Sequence, residues 1–190
     1  KQISKSEILE KLKLIKNEYI VVSVHREENL DISDNFSNIL DAIDEVSSNN
    51  DKQIIFSTHP RTRKKLEEMK RDKNSKISYI KPLGFFDYIF LQLNAFVTLS
   101  DSGTLAEEAS LLKFPSVSLR NSTERPEAID SGSLILGSVD KNNIINSINL
   151  ALNLKNIIEP SDYDSPNCSE KVIKIIQGYT SIVNSEVWKK

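Results

Sequence analysis

Residues 95–119 read AFVTLSDSGTLAEEASLLKFPSVSL, and this stretch decides the fold. Ala95–Ser100 is an apolar, strand-like run. A Ser-Gly-Thr turn follows, Leu105–Leu112 reads as a short helix, and Pro115–Leu119 is strand-like again. Strand, helix and strand in succession mean a crossover connection and a parallel pair. The alternation continues outward, with strand-like runs at Tyr19–Val24, Gln53–Ser57, Lys76–Ile80 and Ser133–Leu136. The first two are rich in Ile and Val and nearly continuous, as strands buried on both faces should be. Asn35–Val46 places Phe36, Ile39, Leu40, Ile43 and Val46 on one helical stripe. Pro60 opens another helix, and Asn142–Leu154 repeats Ile and Leu at helical spacing. Glu170–Trp188 is a longer amphipathic helix, with Gly178 its expected weak point or kink.

Together these elements predict one doubly wound α/β domain with a parallel sheet. Pro160 and Pro166, with Asp162, Asp164 and Asn167, mark a break near residues 159–168. The expected organisation is therefore a domain over residues 1–160 and a C-terminal helix over residues 161–190 that leaves its body. Lys1–Lys16 reads as a helix entering from something upstream, and a chain opening on Lys1 is expected to be a piece of a longer one.

Composition narrows the function. The 190 residues carry a net charge of -2 and a pI near 5.8, which argues against a nucleic-acid partner. No stretch of about 18 apolar residues is present, so no membrane span is expected. A single cysteine, Cys168, cannot close an internal disulfide, and a reducing, cytoplasmic setting is expected. Two distant histidines and one cysteine make no metal site, and no Walker loop, GxGxxG or GxSxG motif appears. Arginine is scarce, 6 against 19 lysines, and Arg26, Arg61, Arg63, Arg120 and Arg125 fall in three short clusters. Both histidines, His25 and His59, stand where an apolar run gives way to a polar cluster.

In an open parallel sheet, ligands bind beyond the carboxyl ends of the strands, where strand order reverses. Four clusters sit at such ends: HREEN at 25–29, THPRTR at 58–63, SDSGT at 100–104 and RNSTERPE at 120–127. Ser-Gly-Thr opens a helix, whose free N–H groups and dipole suit a phosphate, with Gly103 allowing close approach. Thr104–Glu107 also fits a plain capping box. Glu108 is a second acid beside Glu107, suited to a sugar hydroxyl. Arg125 precedes Pro126 at a helix mouth, where an anion, Glu124 or Glu127 must offset the dipole. Arg61, Arg63, Lys64 and Lys65 crowd the helix after Pro60 and either reach solvent or lean toward an anion. The aromatics of Lys81–Tyr88 belong to the core or wall a flat base.

These clusters resemble the non-hydrolysing UDP-N-acetylglucosamine 2-epimerase family. HREEN, STHPRTR, a Pro-Leu segment with Tyr88, LSDSGTLAEEASLLKFPSVSLR, and STERPE followed by GSLILG occur in the family's order and spacing. The resemblance covers essentially the whole chain, but only the C-terminal half of such an enzyme. It implies a Rossmann-like, UDP-binding half of a glycosyltransferase-B-type fold, completed by a missing N-terminal domain, with the last helix crossing back to that partner. Ser102-Gly103-Thr104 stands where the epimerases usually have Ser-Gly-Gly. With KPLGFFDY, this resembles the capsule and O-antigen enzymes that form UDP-N-acetyl-L-fucosamine from its 6-deoxy-L-talose isomer.

Carried over by that likeness, His25 is the active-site histidine near the diphosphate. Leu83 and Tyr88 hold the uracil, partly through backbone. Ser102, Gly103 and Thr104 bind the diphosphate, Glu108 the ribose hydroxyls, and Arg125 grips phosphate. Arg26 and His59 fall near a regulatory nucleotide-sugar site of some members. The implied reaction inverts C2 by elimination and re-addition of UDP, with no cofactor and no metal, in a homo-oligomeric full-length enzyme. The main acid and base carboxylates belong to the other half, so this piece alone is expected to bind UDP weakly and turn over nothing. Two alternatives share the same rim: a glycosyltransferase donor domain and a non-catalytic nucleotide-sugar-binding module.

Overall fold

Four strands stop on serine, and these serines stand level with one another. In the computed structural model, which describes residues 2–49, 52–154, 163 and 166–190, β1 is Tyr19–Ser23, β2 Gln53–Ser57, β3 Ile77–Ile80, β4 Val97–Ser100, β5 Ser116–Ser118 and β6 Ile135–Leu136. Ser23 pairs in register with Ser57 and Ser100, and Ser100 with Ser118. All neighbours run parallel, in the order β3-β2-β1-β4-β5-β6. Order reverses between β1 and β4, which makes the crevice beyond their ends the natural binding place in a Rossmann-like sheet. The expected fold class is the observed one.

Helices cover both faces. They are α1 Ile8–Leu12, α2 Glu27–Leu30, α3 Ser33–Asn49, α4 Pro60–Glu68, α5 Phe85–Leu93, α6 Leu105–Leu112, α7 Pro126–Asp130, α8 Lys141–Asn153 and α9 Cys168–Ile182. Successive strand residues point to opposite faces, so β1 feeds two cores. Ile20 and Val22 join Phe36, Ile39, Leu40, Ile43 and Val46 of α3 and Ile144 and Ile148 of α8. Tyr19 and Val21 join Ile8, Leu91 and Ala95 on the other side. Burying each such Ile or Leu contributes roughly 1.5–3 kcal/mol. Buried Tyr19 donates its hydroxyl to the Leu91 carbonyl at 2.6 Å, and burial raises its pKa.

Two expectations need correction, and one helix stands where the sequence reading assigned no element. The unassigned helix is Phe85–Leu93, α5, whose Leu91 is buried in one cluster with Tyr19, Val21 and Ile55 of the sheet. The N-terminal segment is not one helix. It is a 3-10 turn at Ile3–Lys5 and then α1, interrupted where Ser6 extends and its hydroxyl donates to Asp87 at 2.6 Å. Lys13 in the left-handed region ends α1. Finally, α9 runs unbroken through Gly178 and widens into a π-helical turn only at Val183–Val187.

The chain divides into two compact units, Lys1–Pro160 and Ser161–Lys190. The expected break at 159–168 lies for the most part outside the described residues. No helix among the described residues is long and apolar enough to cross a membrane.

Candidate functional site

The site starts from the β1 and β4 ends. After Ser23 the chain turns through Val24 into His25-Arg26, and after Ser100 comes Asp101, whose side chain is fully buried. The Asp101 carboxylate accepts backbone N–H groups of His25 at 3.0 Å and Arg26 at 2.9 Å, and lies 3.1 Å from His25 Nδ1. Buried Asn29 of α2 donates its amide to Asp101 and to the Leu119 carbonyl, each at 3.0 Å, so the ends of β4 and β5 hold the HREEN loop in place. Thr62 of α4 donates to the Val24 carbonyl at 2.7 Å and fixes the other flank. The Asp101 hydrogen bond raises the His25 pKa against partial burial and the charge of Arg26.

His25 lines a cleft of about 430 Å³ with Ser23, Ser57, His59, Pro82, Leu83, Phe85 and Tyr88. The Tyr88 hydroxyl hydrogen-bonds Ser23, and burial pushes its pKa up to about 12. A larger hollow of about 730 Å³ lies beside it, lined by Thr58, Pro60, Arg63, Tyr79, Ile80, Lys81 and Pro82. It contains neither His25 nor Tyr88.

Across β4, Ser102-Gly103-Thr104 leads into α6. The capping box expected at Thr104–Glu107 does not form: Thr104 is helical in backbone and makes no side-chain cap. Its hydroxyl instead donates to Glu108 at 3.0 Å and meets the Ser102 hydroxyl at 3.1 Å. Burial dominates at Glu108 and raises its pKa, Glu107 adds to the rise, and hydrogen bonds from Thr104 and Gln92 oppose it. Gln92 is buried on α5, and its Oε1 has no hydrogen-bond partner among the described residues.

Glu107 is turned to Arg125, whose Nε donates to it at 2.8 Å. Arg125 Nη1 lies 3.8 Å from Glu124 and 4.0 Å from where a Cβ on Gly103 would stand, so the guanidinium sits over the Ser-Gly-Thr loop. Glu124 is one of the two acids expected to offset Arg125; Glu107, 18 residues away, was missed. Buried Arg120 grips Glu124 through two hydrogen bonds, at 2.9 and 2.6 Å, and holds its pKa down to about 2. Arg120 also lies 3.7 Å from Glu28, and Arg26 Nε meets Glu28 at 3.0 Å. Charges thus alternate along the rim from Glu107 through Arg125, Glu124, Arg120 and Glu28 to Arg26.

His25, His59, Leu83 and Tyr88 therefore share one cleft wall, while Ser102, Gly103, Thr104, Glu108 and Arg125 form the shelf across β4. Asp101 stands between the two groups. Arg26 lies outside the cleft lining and pairs with Glu28. The cations after Pro60 reach solvent, with Lys64 79% exposed, and they meet acids of the surface rather than converging on one point. Arg61 pairs with Glu27 and Asp31, Arg63 with Glu67 at 2.9 Å, and Lys64 stands 3.9 Å from Glu68. No group of three or more potential metal ligands occurs among the described residues.

An open parallel sheet with a furnished crevice at its switch point defines the class: a Rossmann-like α/β domain of the glycosyltransferase-B kind. Within that class, the chain belongs to the UDP-N-acetylglucosamine 2-epimerase family, whose sequence profile matches residues 1–177. It is 36% identical over 167 residues to the UDP-N-acetylglucosamine 2-epimerase of Methanocaldococcus jannaschii, covering 86% of this chain and 45% of that protein. The solved structure of the UDP-N-acetylglucosamine 2-epimerase from Rickettsia bellii superposes with a TM-score of 0.80 at 33% identity, over 100% of this chain and 52% of that one. The M. jannaschii enzyme in complex with UDP-GlcNAc and UDP gives 0.79 at 34% identity, over 93% of this chain and 50% of that one. The chain thus spans about half the length of the relatives it matches.

Proposed function

We propose that this chain is the UDP-binding half of a UDP-sugar 2-epimerase. The observation that carries the reading is the shelf itself, where Arg125 overlies the Gly103 loop at the start of α6 and Glu108 stands one turn further on. The diphosphate is held between the loop N–H groups and Arg125, the ribose hydroxyls by Glu108, and the uracil by Leu83 and Tyr88. His25 faces the diphosphate from the β1 side.

In the complete enzyme, a base in the N-terminal domain takes the C2 proton. The C1–O bond breaks with its electron pair leaving on UDP, and a C1=C2 double bond forms. Protonation of C2 from the opposite face and return of the UDP oxygen to C1 give the epimer. Charge grows on the departing diphosphate, where preorganised cations and N–H groups lower the barrier; losing one such donor costs about 3 kcal/mol. The Ser102-Gly103-Thr104 and KPLGFFDY stretches favour the UDP-N-acetyl-L-fucosamine-forming subgroup, in a cytoplasmic, homo-oligomeric enzyme supplying cell-surface polysaccharide. Residues 161–190 carry the helix that crosses back to the N-terminal domain. Arg26 and His59 serve a regulatory nucleotide-sugar site.

The test is turnover of UDP-sugar by the full-length enzyme in deuterated water. Epimerisation places deuterium at C2. Transfer of the sugar to an acceptor with release of free UDP and no deuterium at C2 contradicts the proposal and indicates a glycosyltransferase.

A further inference from the structure

Asp101 has no part in the roles above, yet it is the deepest-buried acid among the described residues. Its carboxylate stands within hydrogen-bond distance of four N–H groups: the backbone of His25 at 3.0 Å, the backbone of Arg26 at 2.9 Å, the Asn29 amide at 3.0 Å and His25 Nδ1 at 3.1 Å. A carboxylate oxygen in this place accepts, so the proton of the neutral imidazole sits on Nδ1. Nε2 lies on the opposite edge of the ring, which is 46% exposed and lines the cleft with Ser23, His59 and Tyr88.

We propose that Asp101 is the positioning residue for His25, fixing Nδ1–H so that Nε2 faces the diphosphate of a bound UDP-sugar and, once protonated, donates a hydrogen bond to it. This rests on the UDP-sugar reading given above. One buried carboxylate clamps the ring nitrogen and the two backbone N–H groups beside it, so side chain and main chain set the pose together. As the C1–O bond breaks, its electron pair stays on the UDP oxygen. The imidazolium stabilises that charge through Nε2–H without giving up its proton, while the C2 proton goes to a base elsewhere.

The groups facing the imidazole come from every adjoining element. They are Asp101 beyond β4, Arg26 in its own loop, Tyr88 from α5 and His59 from the β2–α4 connection, with Arg120 acting on Asp101. The Asp101 hydrogen bond is the largest influence and favours the protonated ring; burial and Arg26 oppose it.

The chain has only two histidines, so long-range proton–nitrogen NMR spectra resolve both rings, with His59→Gln giving the assignment. In the ligand-free chain above its titration, His25 shows the Nδ1–H tautomer, the minor form of a solvent-exposed histidine. UDP-N-acetylglucosamine, whose diphosphate has no titration near neutral pH, raises the His25 midpoint by about one unit on saturation, which makes binding about tenfold tighter on the acid side. Asp101→Asn lowers the midpoint and shrinks the rise that UDP-N-acetylglucosamine produces, because the ring is no longer held with Nε2 toward the diphosphate. Asn29→Ala, which deletes a different donor to the same carboxylate, leaves tautomer and midpoint in place. Should Asp101→Asn fail to fold, the tautomer and the ligand-induced shift in the unaltered chain decide alone. An Nε2–H tautomer, or bound UDP-N-acetylglucosamine that leaves the His25 midpoint where it was, overturns the positioning role. Failure of UDP-N-acetylglucosamine to bind at all overturns the UDP-sugar reading instead, and the tautomer of the ligand-free chain tells the two failures apart.

Discussion

Replacing Arg125 by alanine separates a ligand-gripping arginine from a structural one. In the free chain its Nε donates to Glu107 at 2.8 Å, and its Nη1 stands over the Gly103 loop. A hydrogen bond from a charged donor is worth about 1.5–3 kcal/mol, so losing the contact to phosphate lowers UDP affinity about 10- to 150-fold. Glu107, deprived of that donor, then faces the diphosphate as a bare carboxylate. Glu107→Gln in the Arg125→Ala background therefore recovers several-fold of the loss. Stability responds differently. The two side chains are 32% and 36% exposed, and a partly exposed ion pair contributes about 0–1 kcal/mol. In a chain of this size that moves Tm by less than about 4 °C. Isothermal calorimetry with UDP and differential scanning calorimetry on the same samples read both effects. Unchanged UDP affinity together with a Tm lowered by about 10 °C would make Arg125 an ion-pair residue of the α6–α7 junction and not a phosphate ligand.

Two further outcomes follow from local geometry. Thr104→Gly removes the hydroxyl that donates to Glu108 at 3.0 Å, and UDP affinity falls about 3- to 10-fold by calorimetry, the worth of one such hydrogen bond; no change would mean that Glu108 needs no orienting. Gly137→Ala drives a methyl group into the Val117 side chain, with Ser118 O at 3.3 Å, and costs about 1–3 kcal/mol in chemical denaturation while UDP affinity per folded molecule holds; a neutral effect would show that β5 and β6 yield easily.

The strands and α3 were legible because their signals are local. Tyr19–Ser23 and Gln53–Ser57 lie in apolar runs with both faces buried, and the Phe36–Val46 stripe repeats at helical period. Phe85–Leu93 went unassigned because Pro82 and Gly84 break the pattern just before it and its aromatics carry no clear period, whereas burial of Leu91 with Tyr19, Val21 and Ile55 accompanies the helix. Site positions were legible to the extent that clusters recur at strand ends. The pairings were not. Arg125 reaches Glu107 across 18 residues and Arg61 reaches Glu27 across 34, and no periodicity encodes such distances. A capping box reads naturally at Thr104–Glu107 until Arg125 claims the acid. Asp101 was visible only as part of a turn, since its hold on residues some 75 positions upstream exists only in the folded sheet.

The direct test of the UDP cradle is a crystal structure of this chain with UDP. The diphosphate is expected against the N–H groups at residues 102–104 with Arg125 donating to it, the ribose on Glu108, and the uracil between Leu83 and Tyr88. UDP bound away from the ends of β1 and β4, with Arg125 still committed to Glu107, would contradict it.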